Sequence, residues 1–291
     1  MEIEKVIKEF VDEFCDLVWK ELGGKGIKGI GVTGSYARGD YSKTRPDVNF
    51  AVFGTSDAAV SWKIGRVASG LNKKYSQWVN LRPEYHPERF AAPWGRDINK
   101  TDLFFKIAFF DVKERDLLMP FGRPGYVLEG HKLSIKMWHG RNLFEDIIVT
   151  SSNDEVIKGC NYMYSQWVRA IKLTPLAYDL EQDADLFFGE ALVWGKIAVQ
   201  QYAWVQGIKN GLDYVNDEDR MKIFSRVHDK EKLRGFFKLP RKEQEMVNLI
   251  LDARKKYQEW KTDSKMAEKL YQSSYHLLNY FWDETKKLMP K

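Results

Sequence analysis

The segment Gly34-Ser35-Tyr36-Ala37-Arg38-Gly39 and the segment Pro46-Asp47-Val48-Asn49-Phe50 lie close together in this chain, joined by a polar connector of six residues. The first segment follows an alternating run at 27–32, which predicts a β-strand that ends at the Gly-Ser pair. Apolar and other residues alternate again over 48–53, which predicts a second strand. Together the two segments predict a strand, a tight turn at Gly-Ser, and a second strand opened by an acid.

These residues resemble the signature of the DNA polymerase β-like nucleotidyltransferase superfamily, and Gly-Ser-x-Ala-Arg-Gly is frequent in its small members. In that superfamily, which includes aminoglycoside-modifying enzymes, a Gly-Ser turn closes the first strand. An Asp-x-Asp or Asp-x-Glu pair then opens the second. The resemblance is specific over about residues 25–85. It implies transfer of NMP from an NTP to a hydroxyl group of an acceptor.

The resemblance also implies roles for the matching residues. Gly34 and Ser35 would hold phosphate, because Gly allows close backbone approach and the Ser hydroxyl and neighbouring amides can donate to phosphate oxygens. Arg38 is a further nucleotide-binding candidate, and Arg45 a weaker one, since a guanidinium pairs well with phosphate. Asp47 would be the catalytic carboxylate and would bind Mg²⁺ together with the NTP.

The carboxylate set departs from the superfamily pattern at two positions. The second carboxylate falls on Asn49, which keeps the shape and one carbonyl oxygen but loses the charge. The third falls on Asn80 or, if the strand continues, on Glu84. Mg²⁺ prefers anionic oxygen ligands, so both departures predict weakened metal binding. Two other acids flank the apolar run at 103–110 and are alternative ligands, although strand ends often carry such acids: Asp102 and Asp111.

Two functions therefore stay open. The first is nucleotidyl transfer with weakened activity, in which the acceptor is a small molecule, an RNA or a protein. The second is a non-catalytic nucleotide-binding protein of the same fold, such as an antitoxin-like regulator. The number of acidic side chains close to Asp47 separates the two: further acids favour the enzyme, and amides favour the binding protein.

The pattern of hydrophobic residues changes near residue 150. Before it, strand-like alternation mixes with helical periods; after it, helical periods of three and four dominate. We predict an α+β chain, with a nucleotidyltransferase-like mixed sheet and flanking helices at 1–150 and an all-helical bundle at 151–291. The predicted helices cover residues 2–22, 57–74, 154–173, 183–209, 217–227, 241–261 and 264–288, and a third strand covers 78–82.

The helical half offers two further candidate features, each with an ordinary structural interpretation. An acidic cluster would suit a cationic acceptor, but acids at a helix N-terminus are common for their effect on the helix dipole; it comprises Asp179, Glu181, Asp183 and Asp185. Aromatic residues could stack on a base or a sugar, but at helical spacing they are more often core; they are Trp167, Trp194, Tyr202 and Trp204.

Composition sets the remaining expectations. The 291 residues carry a formal net charge of +5, which is compatible with anionic ligands. The two cysteines, Cys15 and Cys160, form no C-x-x-C pair and are predicted to be buried thiols. His131 and His139 lack the spacing of a zinc site. There is no signal peptide and no apolar stretch long enough to span a membrane, so a cytoplasmic protein is expected, with its oligomeric state open.

Overall fold

The computed structural model describes residues 2–55, 57–83, 97, 99–117, 119–147, 151–175, 184–236 and 238–289. The described residues form two compact units, one that ends at residue 147 and one that begins at residue 151. The first unit contains a mixed β-sheet and the second is helical. The predicted α+β fold class is confirmed.

The first unit contains a sheet of five strands: β1 (Ile27–Thr33), β2 (Asp47–Gly54), β3 (Val79–Pro83), β4 (Thr101–Asp111) and β5 (Lys136–Gly140). Their order in the sheet is β3-β4-β2-β1-β5. The central pair β2 and β4 is parallel, as is the pair β3 and β4, whereas β1 pairs antiparallel with both β2 and β5.

One face of this sheet is covered by two predicted helices, α1 (Ile3–Leu22) and α3 (Ala58–Tyr75). Alternate residues of β2 and β4 point into the core beneath them. Phe14 of α1 packs against Phe50 of β2 with ring centroids 4.2 Å apart. Both side chains are fully buried, and burying a phenyl group contributes about 2–3 kcal/mol. The apolar faces that the helical period of α1 and the alternation of β2 predict therefore pack in one core.

The opposite face of the sheet is divided between an apolar half and a polar half. Phe53 of β2 and Phe110 of β4 pack there against Phe144, with centroid distances of 4.9 and 4.8 Å from Phe144. The helix α4 (Gly125–Ser134) adds Leu128 to this core. The other half of the same face begins where β2 begins, and there polar and charged side chains surround the ring of Phe104.

His131 of α4 stacks on Phe144 at the margin of this second core, with ring centroids 5.8 Å apart. Burial lowers the pKa of His131 to about 3, and the positive charges of Arg123 and Lys106 add to the effect. The unfolded chain, with an imidazole pKa near 6.5, takes up the proton first as the pH falls. Stability is therefore lost between about pH 6.5 and pH 3, at about 1.4 kcal/mol per pH unit.

We expect His131→Phe, which keeps an aromatic ring but cannot titrate, to reduce this acid sensitivity. Between pH 7 and pH 5 the wild type should lose about 2 kcal/mol more stability than the variant. Urea unfolding of both proteins at the two pH values measures the difference. Parallel losses in the two proteins would contradict a neutral imidazole in the folded state.

Several local predictions differ from the structure. Where the sequence predicted a tight turn at Gly-Ser, the chain forms a short helix, α2 (Gly34–Arg38), which ends at Gly39. The helix α3 begins one residue later than predicted, because Asp57 is its N-cap and the Asp57 carboxylate accepts from the Val60 amide at 2.8 Å. The long strand β4, the helix α4 and the edge strand β5 lie in the 101–145 region, where the sequence pattern predicted no definite elements.

The described part of the second unit consists of helices: α5 (Asn153–Ile171), α6 (Ala184–Lys209), α7 (Asp217–His228), α8 (Lys230–Phe236), α9 (Arg241–Lys255), α10 (Tyr257–Trp260) and α11 (Ser264–Lys286). A capping box between Ser152 and Glu155 begins α5. Trp194 and Tyr202 of α6 are buried, and Tyr202 stacks on Phe281 of α11 with ring centroids 4.1 Å apart.

The aromatic residues considered for base stacking are core residues, as their helical spacing favoured: Trp167, Trp194, Tyr202 and Trp204 are all buried. Both cysteines are buried free thiols, as predicted. The predicted helix at 241–261 is divided at Lys256 into α9 and α10. Among the described residues, no helix is long and apolar enough to cross a membrane.

Candidate functional site

The Gly-Ser bend faces the start of the second strand. Gly34 has a φ of +77°, a conformation that side chains with a Cβ rarely adopt. Its predecessor Thr33 pairs directly with Asn49 of β2. A Cβ placed on Gly34 would lie 3.3 Å from Nδ2 of Asn49, so the absence of a side chain keeps this space open. The glycine is therefore required by both its backbone conformation and its neighbour.

Asp47 and Asn49 point from β2 toward the same side of the sheet, because alternate residues of a strand share a face. Nδ2 of Asn49 donates to Oδ1 of Asp47 over 3.4 Å, and both side chains are partly exposed. The structure thus brings together three of the predicted site residues. We call the space bounded by Gly34, Asp47 and Asn49 the Gly34 corner.

The parallel pairing of β2 with β4 and of β4 with β3 extends this face sideways. Phe104 of β4 pairs with Asp47 and also with Arg82 of β3, while Lys106 pairs with Asn49. The guanidinium of Arg45 lies over the Phe104 ring, 3.8 Å from its centroid, in a cation–π contact. The face beside the Gly34 corner therefore carries three positive side chains, those of Arg45 before β2, Lys106 on β4 and Arg82 on β3.

Asn80 of β3 lies on the same face, one step further from the corner, and its amide is engaged in structural bonds. Its Nδ2 donates to the carbonyl of Asp97 at 2.7 Å and to Oδ1 of Asp102 at 2.9 Å. Its Oδ1 accepts from the Asp97 amide at 2.9 Å. Asn80 therefore holds the turn before β4 against the sheet. Asp102, which is only 1% exposed, accepts one of these hydrogen bonds.

Arg38 lies at the end of α2, where it forms an ion pair with Asp40 over 3.1 Å. Burial lowers the pKa of Arg38, and Asp40 opposes that effect. Within the part of the chain that the structure describes, the buried Nε of Arg38 has no hydrogen-bond partner. A buried guanidinium nitrogen with an open donor is a reason to consider an anionic ligand nearby. Ser35, the second residue of the Gly-Ser bend, is partly exposed.

The remaining candidates lie away from the corner or outside the described residues. Asp111 ends β4, pairs in register with Gly54 and accepts from the Lys113 amide at 2.9 Å, so it caps a turn at the far end of the strand. Glu84 and three acids of the cluster, Asp179, Glu181 and Asp183, lie outside the described residues. The Asp185 side chain is likewise not described.

Two side chains beside the corner were not singled out from the sequence: Arg82 and Lys106. Each lies in an apolar run, in which a charged residue breaks the pattern. The available signal was the alternation of side chains along a strand. Once residues 101–111 are recognised as a strand, Lys106 shares its face with Asp102 and Phe104. The pairing of that strand with β2 could not be read from the sequence.

The mixed five-stranded sheet, with a Gly-Ser bend facing an Asp-led strand, is a nucleotidyltransferase-like α+β fold. The chain is similar to the crystal structure of spectinomycin adenyltransferase AAD(9) from Enterococcus faecialis with ATP and spectinomycin. The TM-score is 0.50 at 12% sequence identity, with 96% of this chain and 99% of that chain covered. No protein-family model and no curated protein sequence matches this chain.

Proposed function

We propose that this chain is a divergent nucleotidyltransferase-superfamily protein that binds a nucleoside triphosphate at the Gly34 corner. The observation that carries the proposal is the bend at Gly34. Because Gly34 has no side chain, a space stays open directly beside Asp47 and Asn49. A backbone turn of this kind admits phosphate oxygens close to its amides. The positive side chains of Arg45, Arg82 and Lys106 on the same face suit an anionic ligand.

The similar structure supports a nucleotide as the ligand, since that adenyltransferase was crystallised with ATP. Its second bound molecule, spectinomycin, is the basis for proposing a small-molecule acceptor before an RNA or a protein. At 12% identity this support concerns the fold.

Isothermal titration with each of the four NTPs, with and without Mg²⁺, tests nucleotide binding. We expect saturable heat with at least one nucleotide and weakened binding in the variant Arg45→Met, which removes the guanidinium stacked on Phe104. The loss should be about tenfold, the usual effect of one charge-assisted phosphate contact. Absence of heat with every nucleotide under both conditions would refute the proposal.

Nucleotidyl transfer is the second candidate function, and the partly exposed carboxylate of Asp47 beside the bend is the observation that favours it. Asp102, on the same face of the adjacent strand, is 1% exposed and accepts from Asn80, so its role is structural. Labelled NMP incorporated into an acceptor, and lost in Asp47→Ala, would establish the activity; no incorporation into small-molecule, RNA or protein acceptors would exclude it.

A further inference from the structure

The ligands described at the Gly34 corner do not fit a two-metal magnesium site. Mg²⁺ is held by hard anionic oxygens, and here one carboxylate, Asp47, stands beside one amide, Asn49. The amide of Asn80 is used to hold the turn before β4. Within the described ranges, no group of three or more His, Cys, Asp and Glu side chains could hold a metal ion.

The register of the sheet places a positive residue next to the second ligand position. Lys106 pairs with Asn49 across the parallel strands, so the two side chains leave the sheet next to each other on the same face. A Lys ammonium is a compact, mobile point charge on a flexible stem.

Arginine side chains extend the positive charge around the corner. The Arg45 guanidinium is held flat on Phe104, next to Asp47, and is only 6% exposed. Arg82 lies on the other side of Phe104 in the same row and is 7% exposed. Among the described residues of β2, β3 and β4, this face carries two acids, Asp47 and Asp102, and two cations, Arg82 and Lys106.

We propose that the Gly34 corner binds the polyphosphate of a nucleotide without a divalent metal, and that the ammonium of Lys106 supplies the positive charge that a metal would otherwise bring. This inference rests on the proposed nucleotide binding. It specifies the ligand as the metal-free polyphosphate, which is more negative than its magnesium complex. A site built from fixed cations binds the more negative form at least as well.

Isothermal titration of the full chain with ATP, once in EDTA and once in excess Mg²⁺, tests the inference. We expect the Kd in EDTA to equal or lie below the Kd in Mg²⁺. In EDTA, Lys106→Met should weaken binding about 10- to 100-fold, whereas Lys106→Arg, which keeps the charge, should stay within about threefold of the wild type. Lys113→Met, at an exposed lysine just beyond the same strand, is the matched control and should bind like the wild type.

The possible results separate the inference from the function on which it rests. Binding in Mg²⁺ but not in EDTA overturns the inference and leaves nucleotide binding in place. No heat under either condition overturns both. Equal binding by Lys106→Met and the wild type overturns the role of Lys106. The thermal unfolding midpoint of each variant shows whether it is folded, and the comparison of EDTA with Mg²⁺ in the wild type needs no variant.

Discussion

Replacing Gly34 by Ala is expected to abolish most nucleotide binding, whereas the same replacement at Gly39 is not. Both glycines have positive φ values, +77° and +81°, so Ala costs each about 1–2 kcal/mol of stability. A Cβ at Gly34 would also lie 3.3 Å from Nδ2 of Asn49 and would enter the space proposed for phosphate. A Cβ at Gly39 has nothing within 4 Å among the described residues.

The matched pair separates backbone strain from occupation of the corner. We expect similar losses in the free energy of unfolding for Gly34→Ala and Gly39→Ala, measured in urea. Titration with the nucleotide that the wild type binds should show a loss of tenfold or more only for Gly34→Ala, equivalent to about 1.4 kcal/mol. Equal binding by both variants would mean that phosphate does not approach the bend.

Restoring a carboxylate at residue 80, as the superfamily pattern would have it, is expected to destabilise the protein strongly. Asn80→Asp removes the donor that now reaches Oδ1 of Asp102 at 2.9 Å and places a second acid beside that buried carboxylate. Two adjacent buried carboxylates cannot both ionise without a large penalty. We expect a loss of about 3–5 kcal/mol at pH 7, because the new charge is buried without a partner.

The pH dependence identifies the cause of this loss. The paired carboxyls of the folded variant have a raised pKa, so the folded state keeps a proton that the unfolded chain, with a pKa near 3.9, releases at neutral pH. The loss in the free energy of unfolding of Asn80→Asp, relative to the wild type, should therefore become smaller as the pH is lowered from 7 toward 4.

Asn80→Ala is the control, because it loses hydrogen bonds but adds no charge. Its loss in the free energy of unfolding, about 1–3 kcal/mol, should not depend on pH. Urea unfolding at several pH values measures both, and a deficit of Asn80→Asp that does not change with pH would contradict this account.

The strand-turn-strand unit and most of its helices could be predicted because their signals are local. The apolar period of α1 and the alternation of β2 each reflect one face packed on one core, and both appear in a window of a few residues. The bend at Gly34 was likewise marked by its residues, since Gly is the default where φ must be positive.

The surroundings of the bend could not be predicted because they depend on strand pairing. Lys106 comes next to Asn49 only through the register of β4 on β2, between residues far apart in the chain. Asn80 matched a ligand position by its place in the sequence, yet its amide is used by a turn that starts at Asp97. An amide in a polar segment looks the same in sequence whether it binds a ligand or holds a loop.

The division of one sheet face into an aromatic half and a charged half has an evolutionary consequence. The aromatic half, around Phe53 and Phe110, fixes how β2 and β4 align, and it lies several residues away from Asp47. Substitutions at the charged end can thus accumulate without loosening the scaffold. An acid at this end can be exchanged for an amide, and a cation can be introduced beside it, while the packing that holds β2 and β4 in register stays intact.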